Sequence, residues 1–140
     1  MKIRSSQPVI SVLMLRDLIE YHDTNMVSVL KQGTMKNYYT TEKYLYRLIK
    51  ETLKADDLYL KQLSYKFIID FEQFLRKAKN KQGKFILINN GVMKHLERFK
   101  KMVNLAIKLE WITKNPFQKF QLKFNKYGWQ YLNKRRITSN

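Results

Sequence analysis

The stretch Met93–Phe117, MKHLERFKKMVNLAIKLEWITKNPF, decides how the chain is read. Together with Val92, the residues Leu96, Phe99, Val103, Ala106 and Ile107 recur at three- and four-residue steps and form one apolar stripe of a long helix. At 100° per residue, Lys94, Arg98, Lys101 and Lys108 fall opposite that stripe in a sector of roughly 80°. Asn89 or Asn90 is expected to cap this helix. Pro116 is expected to end it, because the residue before a proline is pushed towards extended geometry. Beyond the proline, Phe120, Leu122 and Phe124 alternate with Gln121, Lys123 and Asn125, which fits a short strand and an extended linker equally well.

Three more helices precede this one. From Leu15, the positions Leu18, Ile19, Met26, Val29 and Leu30 make an amphipathic stripe, with Arg16, Asp17, Glu20 and Asp23 on the other side. Gly33 is expected to stop that helix and Thr34 to cap the second, whose apolar residues Tyr38, Leu45, Leu48 and Ile49 carry the pattern to about Leu53. Asp56 and Asp57 open a turn, and Leu58, Leu60 and Leu63 form a short extended connection. Ser64 then caps a third helix that buries Phe67, Ile68, Phe71, Phe74 and Leu75 and is mixed in sign outside. Lys77 to Lys84 has no apolar periodicity and reads as a mobile surface loop.

With 140 residues, 44% of them apolar and 14% aromatic, the chain is one domain's worth of material, enough for a single buried core. No apolar run is long enough to span a membrane, and the absence of cysteine excludes disulfides, thiolate nucleophiles and thiolate metal ligands. The run from Val9 to Leu15 behind Lys2 and Arg4 superficially resembles a signal peptide, but it is short and lacks a small-residue cleavage site. Absence of cysteine fits the cytoplasm. The net charge of +17 implies a polyanionic partner and argues against a stand-alone enzyme. All the acids lie between Asp17 and Glu110. Lys114, Lys119, Lys123, Lys126, Lys134, Arg135 and Arg136 follow unopposed, as a solvated end or a linker lying along phosphates.

The second helix carries its own cationic sector of roughly 80°, made of Lys36, Thr40, Lys43, Arg47 and Lys50. Neither this stripe nor the one on the fourth helix contains a carboxylate, since Glu42 and Glu97 lie off the basic sectors, whereas a merely solvated face usually mixes signs. Helices suit a DNA major groove, and their first turns offer N–H donors to phosphate. The expected contacts are Thr34, Lys36 and Asn37 at the start of the second helix and Asn89, Asn90 and Lys94 at the start of the fourth. Lys43, Lys50 and Lys101 would position the backbone, and Arg47, Arg98 and Asn37 have the donor geometry for base edges. No metal site is expected, because His22 and His95 have no second ligand at metal spacing. No cofactor loop is present, and the tyrosines read as packing rather than as a nucleophile.

These segments resemble the core-binding, SAM-like N-terminal domain of tyrosine recombinases, especially the integrases of phages and conjugative transposons. The resemblance rests on GTMKNYYTTEKYLYRL (33–48), on DDLYLKQLSYKFIIDFEQFL (56–75) and, most specifically, on the long basic helix closing on Asn115, Pro116 and Phe117. It implies an all-α, four-helix bundle at residues 13–117, after a lead-in at 1–12 and before a basic linker at 118–140. It also implies a non-catalytic DNA-binding half that grips a recombination site in double-stranded DNA through the second and fourth helices. The partners it implies are other recombinase protomers on the DNA, with the isolated piece monomeric and at work on the bacterial nucleoid. The family's catalytic arginines, histidine, lysine and tyrosine belong to a separate C-terminal domain. The ending YLNKRRITSN departs from the family pattern, as an excised domain or a truncated gene product would. Two other classes stay open: a protein-interaction module of a recombination synapse, and an RNA-binding helical domain.

Overall fold

The computed structural model describes residues 12–126. The described residues form α1 (Leu15–Met26), α2 (Gln32–Leu48), α3 (Tyr65–Lys77) and α4 (Asn89–Lys108), with no strand among them. The expected all-α, four-helix class holds. The alternating segment after Pro116 is extended and carries no ladder. Residues 1–11 and 127–140, including Lys134, Arg135, Arg136 and the first three residues of the apolar run from Val9, lie outside the described part.

The helices form where the apolar spacing places them. Leu15, Leu18 and Ile19 of α1, Tyr38, Leu45 and Leu48 of α2, Phe67, Ile68, Phe71 and Leu75 of α3 and the stripe of α4 from Val92 to Ala106 close into one core. Phe99 sits at its centre with edge-on neighbours Phe71 and Phe117, each 5.7 Å away between ring centroids, and Phe67 at 6.0 Å. The Asn-Pro-Phe sequence places one of these rings. Asn115 Oδ1 accepts from the Phe117 N–H at 2.9 Å and the Asn115 carbonyl accepts from the Gln118 N–H, a turn that folds Phe117 back into the core.

The helix ends differ from expectation. Gly33 does not stop a helix; it lies in the first turn of α2, whose N-cap is Lys31, so Thr34 is not the cap. Helix α1 already ends at Met26, leaving Leu30 half-buried and Val29 70% exposed. The N-cap of α4 is Ile88, not Asn89 or Asn90. Pro116 is not its terminator: α4 ends at Lys108, with Glu110 in the left-handed region (φ 63°). There the Glu110 N–H donates to the Ile107 carbonyl and the Trp111 N–H to the Ala106 carbonyl, closing a Schellman motif on a residue that is not glycine.

The second helical run does reach Leu53, but Ile49–Leu53 is a π-helical turn that ends at Lys54 in a left-handed conformation. The connection after it includes a 3-10 turn at Leu60–Gln62, and it bridges back to the start of α1. There the Leu15 N–H donates to the Leu58 carbonyl and the Leu60 N–H to the Leu13 carbonyl, each at 2.9 Å. Ser64 caps α3 as expected, accepting from the Phe67 N–H. The 77–84 segment lies at the surface as expected and holds a hydrogen-bonded reverse turn. Asn80 Oδ1 accepts from the N–H groups of Gln82 and Lys84, and Gly83 supplies the positive φ of 79°.

Candidate nucleic-acid interface

Helices α2 and α4 meet through a buried polar contact. Thr41 Oγ1 lies 2.7 Å from His95 Nδ1, and Arg98 Nη1 lies 3.3 Å from the same nitrogen and 3.4 Å from Thr41 Oγ1. The Tyr44 ring stacks edge-on against His95 at 5.1 Å. Burial and the Arg98 guanidinium pull His95 down to about 4, so its imidazole is neutral near neutral pH. Burial also lowers Arg98, which nonetheless keeps its charge.

This seam fixes where the cations lie. Moving round α2 from Thr41, the surface passes Tyr44 and reaches Thr40 and Arg47, then Lys36 and Lys43. Round α4 from His95 it passes Arg98 and reaches Lys94 and Lys101. On each helix the basic sector therefore follows the seam residues round the surface. Lys43, Arg47 and Lys50 also surround a shallow depression of about 430 Å³ together with Tyr39, Glu42 and Tyr46.

The expected contact residues fall into four groups. Lys36, Asn37, Lys43, Lys50 and Lys101 are exposed, and none of these lysines makes an ion pair among the described residues. Thr34 is half-buried in the first turn of α2, its backbone at the N–H-rich helix end. Arg47, Lys94 and Arg98 are already engaged. Arg47 reaches Glu51 at 3.5 Å and lies over the rings of Tyr44 and Phe74, while Lys94 reaches Glu97 at 3.6 Å and lies over Phe124. The ridges are thus not free of carboxylate: Glu51 and Glu97 stand just off their edges, within reach of one cation each.

Asn89 and Asn90 hold the C-terminal segment. Asn89 Nδ2 donates to the Lys123 carbonyl at 2.9 Å, and Asn90 Nδ2 donates to the Asn125 carbonyl at 2.6 Å. Asn90 Oδ1 accepts from the Asn125 N–H at 2.7 Å, and Arg76 Nη2 donates to Asn89 Oδ1 at 2.8 Å. Residues 118–126 therefore run back along the bundle towards the start of α4, with Phe120 and Leu122 packed on the core. The pairs span 34 and 35 residues, and no local pattern announces them.

The reading of the histidines needs correction. His95 is a seam residue, but His22 stands beside Asp23 and Glu42, and one ligand atom from each lies within 4.8 Å of the others. Tyr38 and Tyr46 behave as packing: burial raises Tyr38 and pushes Tyr46 up to about 12, the wrong direction for a phenolate nucleophile, whereas Tyr21, Tyr39, Tyr59 and Tyr65 are exposed. No helix among the described residues is long and apolar enough to cross a membrane.

Comparison with known proteins finds no match among curated proteins and none among solved structures. A family model does match, that of the phage integrase SAM-like domain, over residues 14–126. That span takes in all four helices and the returning segment, so the bundle, its seam and the Asn-Pro-Phe turn are those of a domain that belongs to the phage integrase SAM-like family.

Proposed function

We propose that this domain is the non-catalytic DNA-binding half of a site-specific tyrosine recombinase. On this reading it grips double-stranded DNA at a recombination site through α2 and α4, orienting a strand-transferring domain elsewhere in the protein. The observation that carries the reading is that α2 and α4, joined by one buried seam, leave Lys36, Lys43, Lys50 and Lys101 exposed, in a chain of net charge +17. Lys36, Lys43, Lys50 and Lys101 then meet phosphates, Asn37 and Arg47 approach base edges, and Arg98 sets the spacing of the two helices. Lys94, Asn89 and Asn90 hold the returning segment, whose Lys119, Lys123 and Lys126 add charge beside the ridge. Residues 13–117 are the DNA-gripping unit and the basic stretch after it leads to the next domain, in a bacterial cytoplasm. The domain acts beside other recombinase protomers on the DNA and is monomeric alone.

Titration with duplex DNA over a range of salt tests this. For ~6 neutralised phosphates, log affinity falls against log salt with a slope of about −5. Replacing Lys36, Lys43 and Lys101 together by alanine removes three exposed cations without touching the seam and flattens that slope by about 2 to 3. Absence of a salt-sensitive complex refutes the reading, and an unchanged slope in the triple variant moves the domain to the protein-interaction class. The exposed Tyr39 beside Lys43 favours a second reading, stacking on unpaired RNA bases. Preference for RNA over duplex DNA of equal length would establish it.

A further inference from the structure

We propose that His22, Asp23 and Glu42 form a binding site for one divalent transition cation of the Zn2+ type, which clamps α1 to α2. His22 and Asp23 sit in the second half of α1 and Glu42 in the middle of α2, and one ligand atom from each falls within 4.8 Å of the others. His22 is 4% exposed and Glu42 8%. Glu42 Oε2 is buried with no hydrogen-bond partner.

The charge arrangement is the reverse of what composition favours. The chain has 28 lysines and arginines, yet neither Asp23 nor Glu42 is paired with one among the described residues. Two carboxylates cannot face each other inside a protein with both ionised and nothing between them. A proton or a metal ion must occupy the gap.

The donor set selects the ion. One imidazole nitrogen and two carboxylate oxygens suit Zn2+, which binds such atoms at ~2.0–2.2 Å, so a small closure of the side chains brings all three onto one centre. Mg2+ and Ca2+ prefer sets made wholly of oxygen. The imidazole is already oriented: His22 Nδ1 lies 2.9 Å from Asp23 Oδ1, and the Tyr38 ring packs on His22 at 4.6 Å. Half-buried Asp23 leaves an opening for entry and for a completing water. The clamp would fix α1 against the helix that carries Lys36, Lys43 and Lys50, but it does not depend on what those lysines bind.

Isothermal titration of the 140-residue chain with Zn2+ near neutral pH, after removal of metal by chelator, tests the site, with Mg2+ as control. About one equivalent of Zn2+ should bind, with a heat that changes with buffer because protons leave the site. H22Q and E42Q should each weaken binding by about tenfold or more, and H95Q should leave it intact. Circular dichroism identifies any variant that does not fold, and D23N then supplies the second test. No Zn2+ uptake by the wild-type chain means a proton alone fills the gap and overturns the proposal. So do unchanged binding in folded E42Q, H22Q or D23N and loss of binding in H95Q.

Discussion

Thr41 of α2 and His95 of α4 share a 2.7 Å hydrogen bond inside the protein, 54 residues apart in sequence. Because the imidazole is held neutral, with the Arg98 guanidinium 3.3 Å away, protonation there would set two cations against each other in a buried seam.

Stability should therefore fall as the solution is acidified. His95 is depressed from 6.5 to about 4, so between those values the unfolded chain takes up a proton that the folded chain refuses. The His95 contribution is fully present above about 6.5 and is lost as pH falls towards 4. Solvent access discounts the effect to about 1–2 kcal/mol. Urea unfolding of wild type and H95Q across that window checks it: the difference between the two should shrink on acidification, and a constant difference would contradict the assignment.

Glu42 titrates with the opposite consequence. Its folded value is raised from 4.5 to about 9, so the folded state holds a proton that the unfolded state has released, and stability declines as pH rises through that interval. In the presence of chelator, E42Q should be more stable than wild type at neutral pH by about 1–2 kcal/mol, discounted for partial solvation. It should also lose that part of the alkaline decline. Thermal unfolding at several pH values measures both effects.

The end of α4 can be improved. Glu110 adopts a left-handed conformation that costs a side-chain-bearing residue roughly 1–2 kcal/mol, and glycine avoids that cost. E110G should raise stability by about 1 kcal/mol, since greater freedom in the unfolded chain takes back part of the gain. A lower melting temperature in E110G would show that the carboxylate makes a compensating contact.

Asn90 should matter to the returning segment and not to its own helix. The N90A variant removes both side-chain bonds to Asn125 while the Ile88 cap of α4 stays as it is. Hydrogen exchange should then speed up at the Asn125 amide and stay slow along α4. Loss of protection in the first turns of α4 would mean that the asparagine serves the helix after all.

The fold was legible because four stripes with a period near 3.6 residues each name a buried face, and Leu18, Phe71, Leu96 and Phe99 are all where that period puts them. Ser64 was legible as the cap of α3, but the ends of α2 and α4 were not, since their N-caps are Lys31 and Ile88, neither with a capping side-chain bond, and α4 stops on a left-handed glutamate rather than a glycine. Gly33 misled because the opening turn of a helix tolerates it. The exposure of Lys36, Lys43, Lys50 and Lys101 was readable from the wheel alone. What escaped the sequence depends on tertiary approach: Glu51 and Glu97 swinging onto neighbouring cations, Asn89 and Asn90 grasping a segment beyond the next turn, and Glu42 closing on His22 from another helix.

Because Lys123 and Asn125 are fastened to the opening turn of α4, the segment after the Asn-Pro-Phe turn does not leave the bundle where that turn ends; it is carried back to the end of α4 where Lys94 stands. Two asparagine side chains act as its latch, so the last described residues and the first turn of the helix behave as one piece.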